Sequence, residues 1–217
     1  MFYIIGDIHG ELEKLMKVIA KISVDYQPSD LLIFLGDYID RGYYSFEVVT
    51  YLLNLQKSMN CFFLMGNHED MLYKCLIDKC SPDHYMRNGG KETVRSYEKN
   101  LGKFKIPEDH KNILFSNNFF YEGDDFIAVH AGLPPGFEDP SKCFRDDLLW
   151  IREKFYRSDY KWRKKIIFGH TPVYYINKDL RDIYYSDINN IAGIDTGAVY
   201  GYKLSCIRMP DGKIFQS

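Results

Sequence analysis

No stretch of this sequence approaches the roughly 18 consecutive apolar residues that a membrane-spanning helix needs, so none is predicted. A basic segment followed by an apolar one is also missing from the start, because Phe2 to Ile5 already reads as a strand; a cytoplasmic protein is expected. Charge of one sign is not in excess. The 28 Lys and Arg against 30 Asp and Glu leave a formal net charge of −2, which argues against an acidic tail and against strong nucleic-acid binding. The five cysteines are odd in number and form no CxxC, so free thiols in a reducing compartment are expected, with Cys75 and Cys80 placed on a helix. Low-complexity linkers and internal repeats are absent too, and 217 residues then read as one domain. What the chain does have is apolar residues, 46% of the total with 16% aromatic, enough for a sizeable core.

Three apolar runs end in the same way. "FYIIGDIHG" carries Asp7 and His9 just past Gly6. "LLIFLGDYIDRG" carries Asp37, Asp40 and Arg41 past Gly36. "CFFLMGNHED" carries Asn67 and His68 past Gly66. Each short apolar run reads as a buried strand. Carboxylates at a buried strand end need a cation, because an unpaired buried charge is costly. Between the strands, Glu11 to Ile22 has helical spacing, with Leu12, Leu15, Met16 and Ile19 on one face. Tyr44 to Leu55 repeats it with Phe46, Val49, Leu52 and Leu53, and a third helix opens at His68 and runs to Cys80. Strands alternating with such helices predict βαβ units and parallel strands, whose ligands sit outside the carboxyl ends.

Residues 81–118 have a different texture. They are polar and mostly helical, with a turn at Arg87 to Gly90, and read as an insertion or cap beside the site. From Asn118 the chain turns β-rich. A hairpin turns at Gly123 to Asp125 and ends at His130; "KKIIFGHTP" is a strand ending in Gly169 and His170; the last hairpin turns at Asp211-Gly212. The predicted fold is α/β: a β-sandwich of mixed sheets flanked by helices, forming a single domain over 1–217.

Four of the six histidines, His9, His68, His130 and His170, follow strand ends in this way. His84 and His110 fall in the polar insertion and read as surface residues. A lone histidine at a strand end is usually structural. Four of them beside Asp7, Asp37 and Asn67 predict a metal centre. Mixed oxygen and imidazole donors without thiolate suit manganese foremost, with iron, zinc or nickel also possible. Two ions about 3.5–4 Å apart need a shared carboxylate, and Asp37, on the middle strand, is the natural bridge. Phosphoryl transfer also needs charge neutralisation and a proton for the leaving oxygen. Arg41 can fork onto phosphate. His68 is placed as general acid, with Asp40 orienting its imidazole. Arg152, on a predicted helix in "LLWIREKF", is a second candidate cation.

"GDIHG", "GDYIDRG", "GNHE", "HAG" and "GHT" occur in this order, from Gly6 to Thr171, and "DTGAVYGYKLS" follows. The set strongly resembles the phosphoprotein phosphatases within the calcineurin-like metallophosphoesterases, in their compact bacterial and phage branch. The resemblance implies two metals at the sandwich edge, one held by Asp7, His9 and Asp37 and one by Asp37, Asn67, His130 and His170. It also implies a hydroxide bridging the metals for in-line attack on phosphorus, leaving-group protonation by His68 with Asp40, and phosphate binding by Arg41, Asn67 and Arg152. The leading functional expectation is a protein serine/threonine phosphatase acting on phosphoproteins or small phosphoesters. The alternative is a dinucleoside polyphosphate hydrolase of diadenosine tetraphosphate type. A catalytically dead phosphoprotein-binding module is disfavoured, because the ligands, His68 and Arg41 are all present. Specificity is expected from residues 81–118 and the loop 133–146, with Tyr85, Tyr97 and Phe104 as candidate stacking residues.

Overall fold

A computed structural model describes all residues, 1–217. Ten strands form two five-stranded mixed sheets: β1 (Phe2–Ile5), β2 (Leu31–Phe34), β3 (Cys61–Phe63), β4 (Phe120–Glu122), β5 (Phe126–Val129), β6 (Lys165–Phe168), β7 (Tyr184–Ser186), β8 (Ile191–Gly193), β9 (Ser205–Met209) and β10 (Ile214–Gln216). The first sheet has the order β10-β9-β1-β2-β3 and the second β4-β5-β6-β8-β7. β1, β2 and β3 run parallel, as do β5, β6 and β8; the outer strands are antiparallel.

The central strands β1, β2, β5 and β6 are buried and largely apolar on both faces, and the period of two explains where each face goes. Ile4, Ile33 and Ile207 are register partners across β1, β2 and β9, and they point into the space between the sheets. There they meet Phe126, Ala128, Ile167 and Ala192 of the second sheet. The alternate residues Tyr3, Ile5, Leu32 and Phe34 face outward onto helices α1 (Leu12–Ser23) and α2 (Ser45–Leu55). On the far side Ile127, Val129, Ile166 and Phe168 pack against Leu148, Phe155 and Trp162. The layers are therefore helix, sheet, sheet, helix. Each fully buried aliphatic or Phe side chain contributes roughly 1.5–3 kcal/mol.

The helices lie close to their expected places, with one shift of face. On α1 the buried stripe is Leu15, Val18, Ile19 and Ile22, while Met16, expected inside, is half exposed. The spacing fits either stripe, and the one turned to the sheet carries the β-branched Val18, Ile19 and Ile22. α3 (Asn67–Leu76) ends before Cys80, which is exposed beyond the helix; all five cysteines are free.

Residues 81–118 contain α4 (Asp83–Tyr85), the turn Met86–Gly90, α5 (Lys91–Leu101) and α6 (Glu108–Leu114). Two expectations fail here. His110 is not on the surface: it is buried, with Nδ1 2.8 Å from the Tyr97 hydroxyl, because α6 packs back onto α2. Tyr85 and Tyr97 are likewise buried, and Phe104 packs on Tyr97, so none of the three offers a free stacking face. His84 is exposed as expected.

Candidate active site

The carboxyl ends of the parallel strands of both sheets converge. β1 delivers Asp7 and His9, β2 delivers Asp37, Asp40 and Arg41, β3 delivers Asn67 and His68, β5 delivers His130 and β6 delivers His170. All of these except Arg41 are buried. Five of them hold a left-handed backbone: His9 (φ 46°), Asp37 (53°), Asp40 (72°), Arg41 (67°) and His170 (62°). Such conformations cost on the order of 1–3 kcal/mol each and persist only where the surroundings impose them. Here the strand termini turn back sharply enough to aim neighbouring side chains at one point.

Asp37 lies at the middle. Its Oδ2 is 3.4 Å from His9 Nε2 and 3.9 Å from His68 Nε2, while its Oδ1 is 3.5 Å from His130 Nε2. Two ligand groups result, His9–Asp37–His68 and Asp37–His130–His170, each with its ligand atoms within 4.8 Å of one another. Asp37 is common to both. Asp7 enters neither group: its carboxylate accepts the His170 backbone N–H at 2.9 and 3.2 Å.

The protonation pattern fits divalent cations. His9 Nδ1 donates to the Ile39 carbonyl (2.8 Å) and His130 Nδ1 to the Leu35 carbonyl (2.9 Å), which leaves Nε2 of each as a lone pair. Burial pushes the imidazoles of His9, His130 and His170 below their ordinary range; the Arg41 charge adds to this at His9, and His130 and Arg152 add to it at His170. These are neutral donors near pH 7. The Asn67 amide oxygen faces His130 Nε2 at 2.9 Å and His170 Nδ1 at 2.8 Å. At His130 an acceptor thus meets an acceptor, an arrangement a nearby cation satisfies. Buried Nε2 atoms of His68 and His170 have no partner at all. Burial raises the Asp7 carboxyl well above the usual range, reinforced by Asp195 and Asp37. Burial would raise Asp37 too, yet His130, His68, His9 and Arg41 hold it far below.

Around this centre Tyr85 and Thr93, from the segment 81–118, fix Asp40. His68 Nδ1 lies 2.7 Å from Asp40 Oδ2. The other carboxylate oxygen accepts from the Tyr85 hydroxyl (2.8 Å) and the Thr93 hydroxyl (2.5 Å), and the Asp40 N–H donates to Thr93 Oγ1 (2.9 Å). Gly89 carries a φ of 104° and its carbonyl accepts the Arg41 N–H at 3.1 Å. A side chain at 89 would run into the Arg41 backbone, so this turn needs glycine.

Arg41 Nη1 donates to His9 Nε2 at 2.6 Å, and Arg152 Nη1 donates to Thr171 Oγ1 at 3.2 Å. Arg152 does not sit within a helix. It is the break between α7 (Arg145–Trp150) and α8 (Glu153–Tyr156), with φ −132° and ψ −109°. Both arginines line a cavity of about 510 Å³, together with His170, Thr171, Tyr175 and Tyr200. The loop 133–146 and the residues 81–118, where specificity was expected, do not line it.

Several residues of the site had no role assigned from sequence. Glu69 Oε2 accepts the N–H groups of Asp37 (2.8 Å) and Gly66 (3.0 Å), and Oε1 accepts that of Tyr38 (2.9 Å). Its place three residues after Gly66, as in a capping box, was a usable signal. A Cβ at Gly66 would strike the Asp37 carboxylate, so the two strand ends can approach only through glycine. Asp195 is buried past β8, its carboxylate accepting the Gly197 N–H at 3.0 Å. "IAGIDTG" repeats the pattern of strand, Gly and carboxylate, and could have revealed it. Tyr85 and Thr93 carry no such signal.

Comparison with known proteins agrees with this geometry. The pattern of the calcineurin-like phosphoesterases matches residues 1–198. The asymmetrical bis(5'-nucleosyl)-tetraphosphatase PrpE of Oceanobacillus iheyensis is 30% identical over 241 residues, covering 96% of this chain and 88% of that protein. Its counterpart in Halalkalibacterium halodurans is 27% identical, with 97% and 90% covered. Among solved structures, one assigned provisionally as a diadenosine tetraphosphatase superposes with a TM-score of 0.74 at 22% identity, covering all of this chain and 92% of that one. The cold-active protein-tyrosine phosphatase of a psychrophilic Shewanella gives 0.61 at 16% identity, with 99% and 79% covered. At such identities the structures speak for the fold alone. The match of pattern, relatives and two-sheet architecture extends over nearly the whole chain, which belongs to the calcineurin-like phosphoesterase family.

Proposed function

We propose that this phosphoesterase hydrolyses dinucleoside polyphosphates asymmetrically, releasing a nucleoside monophosphate and a nucleoside triphosphate from a tetraphosphate. The observation that carries the reading is the 30% identity over 96% of the chain to a relative named as an asymmetrical bis(5'-nucleosyl)-tetraphosphatase. It displaces the protein serine/threonine phosphatase as the leading expectation, and no finding favours a phosphoprotein partner. A nucleotide substrate also fits the cytoplasmic location expected from the sequence.

In this reading Asp7, outside both ligand groups but with a buried carboxyl close enough to Asp37 to be raised by its charge, joins His9 and Asp37 in holding one divalent ion, and Asp37, Asn67, His130 and His170 hold the other, with manganese the preferred metal. When bound, the ions supply Lewis-acid charge at the phosphoryl oxygens and acidify a water. Arg41 and Arg152 converge on the cavity and hold the phosphate chain, with Asn67 contributing its amide. His68 presents its unpartnered Nε2 toward Asp37 and delivers a proton to the leaving oxygen. Asp40, fixed by Tyr85 and Thr93, keeps that imidazole oriented.

The test is turnover of diadenosine tetraphosphate, a phosphoserine peptide and a phosphotyrosine peptide with manganese, with products separated. We expect the dinucleotide to lead in kcat/KM and to yield ATP and AMP. A phosphopeptide turned over tenfold better would return the protein phosphatase reading; ADP as sole product would sink the asymmetrical one.

A further inference from the structure

The cavity beside the metal-ligand groups has an aromatic outer wall. Tyr175, on α9 (Val173–Ile176), is 61% exposed, and Tyr200, at the end of the turn Ala198–Tyr200, is 44% exposed. Both line the same cavity as Arg41 and Arg152. Two segments distant in sequence thus bring two phenol rings to the mouth of the site. Neither ring belongs to the ligand groups or to the His68–Asp40 pair.

The rings are supported rather than loose. Tyr174 packs on both, its centroid 4.5 Å from that of Tyr175 and 5.9 Å from that of Tyr200, perpendicular to the latter. The Arg41 guanidinium carbon lies 5.9 Å over the Tyr200 ring, and its own position is held from elsewhere, by His9 Nε2 and the Gly89 carbonyl. Further out, Tyr202 packs on Tyr174 at 5.9 Å, and Arg181 covers both rings at 5.1 and 5.7 Å. Arg181 thus covers Tyr174 and Tyr202 outside the cavity, whereas Tyr175 and Tyr200, the latter with Arg41 over one part of its ring, line the cavity and keep exposed surface.

A nucleotide has this same order of parts: anionic phosphates joined to a planar π-faced base. The cavity has cations within and aromatic faces at its wall, and about 510 Å³ lies inside the usual range for small-molecule sites. We propose that Tyr175 and Tyr200 are a base-stacking wall that holds a nucleoside of the substrate and so sets the preference for nucleotides over simple phosphomonoesters. The proposal rests on the dinucleoside polyphosphate reading and names its specificity-determining residues. Serine side chains offer no π-face to such a wall.

Inhibition constants for ATP and for inorganic tripolyphosphate test it, because the two share a triphosphate chain and differ by the nucleoside. Both are measured on the manganese-loaded enzyme and by calorimetric binding. Stacking on an aromatic side chain is worth about 1–3 kcal/mol per base, on the order of 5- to 150-fold in affinity. Wild type is expected to bind ATP at least about tenfold more tightly than tripolyphosphate. Tyr175→Ala and Tyr200→Ala should each remove much of that advantage while tripolyphosphate binding stays within about twofold, and Tyr175→Phe and Tyr200→Phe should keep it. Equal binding of the two ligands by wild type, or equal weakening of both in the alanine variants, would overturn the wall. So would a loss confined to phosphotyrosine peptides, which would assign the rings to a protein substrate. An enzyme that cleaves diadenosine tetraphosphate but shows no ATP advantage retains the functional reading and loses the wall. One that fails to cleave it, yet prefers ATP through these tyrosines, retains the wall and loses the reading.

Discussion

His68 and Asp40 form a buried pair, with Nδ1 2.7 Å from Oδ2, and the opposite imidazole nitrogen is left without a partner. A proton donor held in this way matters in proportion to the basicity of the leaving oxygen. Alkoxide from a serine ester leaves poorly without a proton. A nucleotide phosphate is a far weaker base, with a second pKa near 6. His68→Asn should therefore lose on the order of 10²–10⁴-fold in kcat on an alkyl phosphomonoester but much less on diadenosine tetraphosphate or p-nitrophenyl phosphate. Metal content should stay near wild type. His68 also lies in one ligand group with His9 and Asp37, so a metal deficit measured on the same sample would make it a ligand instead.

Asp37 reaches one ligand group through each carboxylate oxygen, whereas Asp7 touches the backbone of His170. Asp37→Asn should weaken both ions and abolish most turnover; Asp7→Asn should affect one ion and cost less. Elemental analysis after dialysis, together with kcat, separates them. Exhaustive chelation should remove activity, and manganese should restore it best. Full activity in metal-free protein, or Asp37→Asn near wild type, contradicts the assignment.

Much of this centre was legible because it is local. Each candidate ligand follows its own strand within one or two residues of a glycine, and the apolar runs announce the strands. The two-sheet arrangement followed from the same runs. What the chain does not announce is contact between distant positions. Tyr85 and Thr93 reach Asp40 across 45 and 53 residues, and nothing in their neighbourhood differs from an ordinary helix. His110 reads as surface because its neighbours are Lys, Asp and Glu, yet α6 turns that one position onto Tyr97. Arg152 reads as helical because "LLWIREKF" holds neither Gly nor Pro, yet the helix stops at Trp150 and both Ile151 and Phe155 pack with Leu148, Trp162 and Phe168 against the outer face of the second sheet. The short strand β7 has no alternating pattern, and it is recruited by pairing with β8.

Arg41 and Arg152 stand at one cavity but differ in anchorage. Arg41 is pinned through its backbone to Gly89 and through its guanidinium to His9, while Arg152 is exposed and its guanidinium bonds only the Thr171 hydroxyl. Arg41→Ala should raise KM and lower kcat together, because the charge meets phosphate in both ground and transition states. Arg152→Ala should act mainly on KM. Steady-state kinetics on diadenosine tetraphosphate checks both, and unchanged constants for Arg152→Ala would remove it from phosphate binding.

Asp195 offers a test that reads stability instead of turnover. Its carboxyl is buried near Asp7 and Asp37, and burial is the largest cause of a pKa raised from 3.8 to about 6, against the opposing pull of the Gly197 N–H and Arg41. A carboxyl whose folded pKa is raised binds its proton more tightly when folded. Its charged form therefore destabilises the fold above about pH 6, and the penalty shrinks as pH falls from there toward 3.8, where folded and unfolded chains are both protonated. A displacement of this size corresponds to on the order of 3 kcal/mol. In chelator-treated protein Asp195→Asn should thus raise Tm by several degrees at pH 7.5, since the amide oxygen still accepts from Gly197 while the charge is gone. The gain should fade between pH 6 and pH 4. With manganese restored the gain should be smaller, because bound cations relieve the same repulsion that the substitution removes. Thermal unfolding of both proteins across this pH range, with and without metal, is the measurement. A gain that is constant with pH, or a loss at pH 7.5, would show that the Asp195 charge is not the source of strain in the metal-free centre.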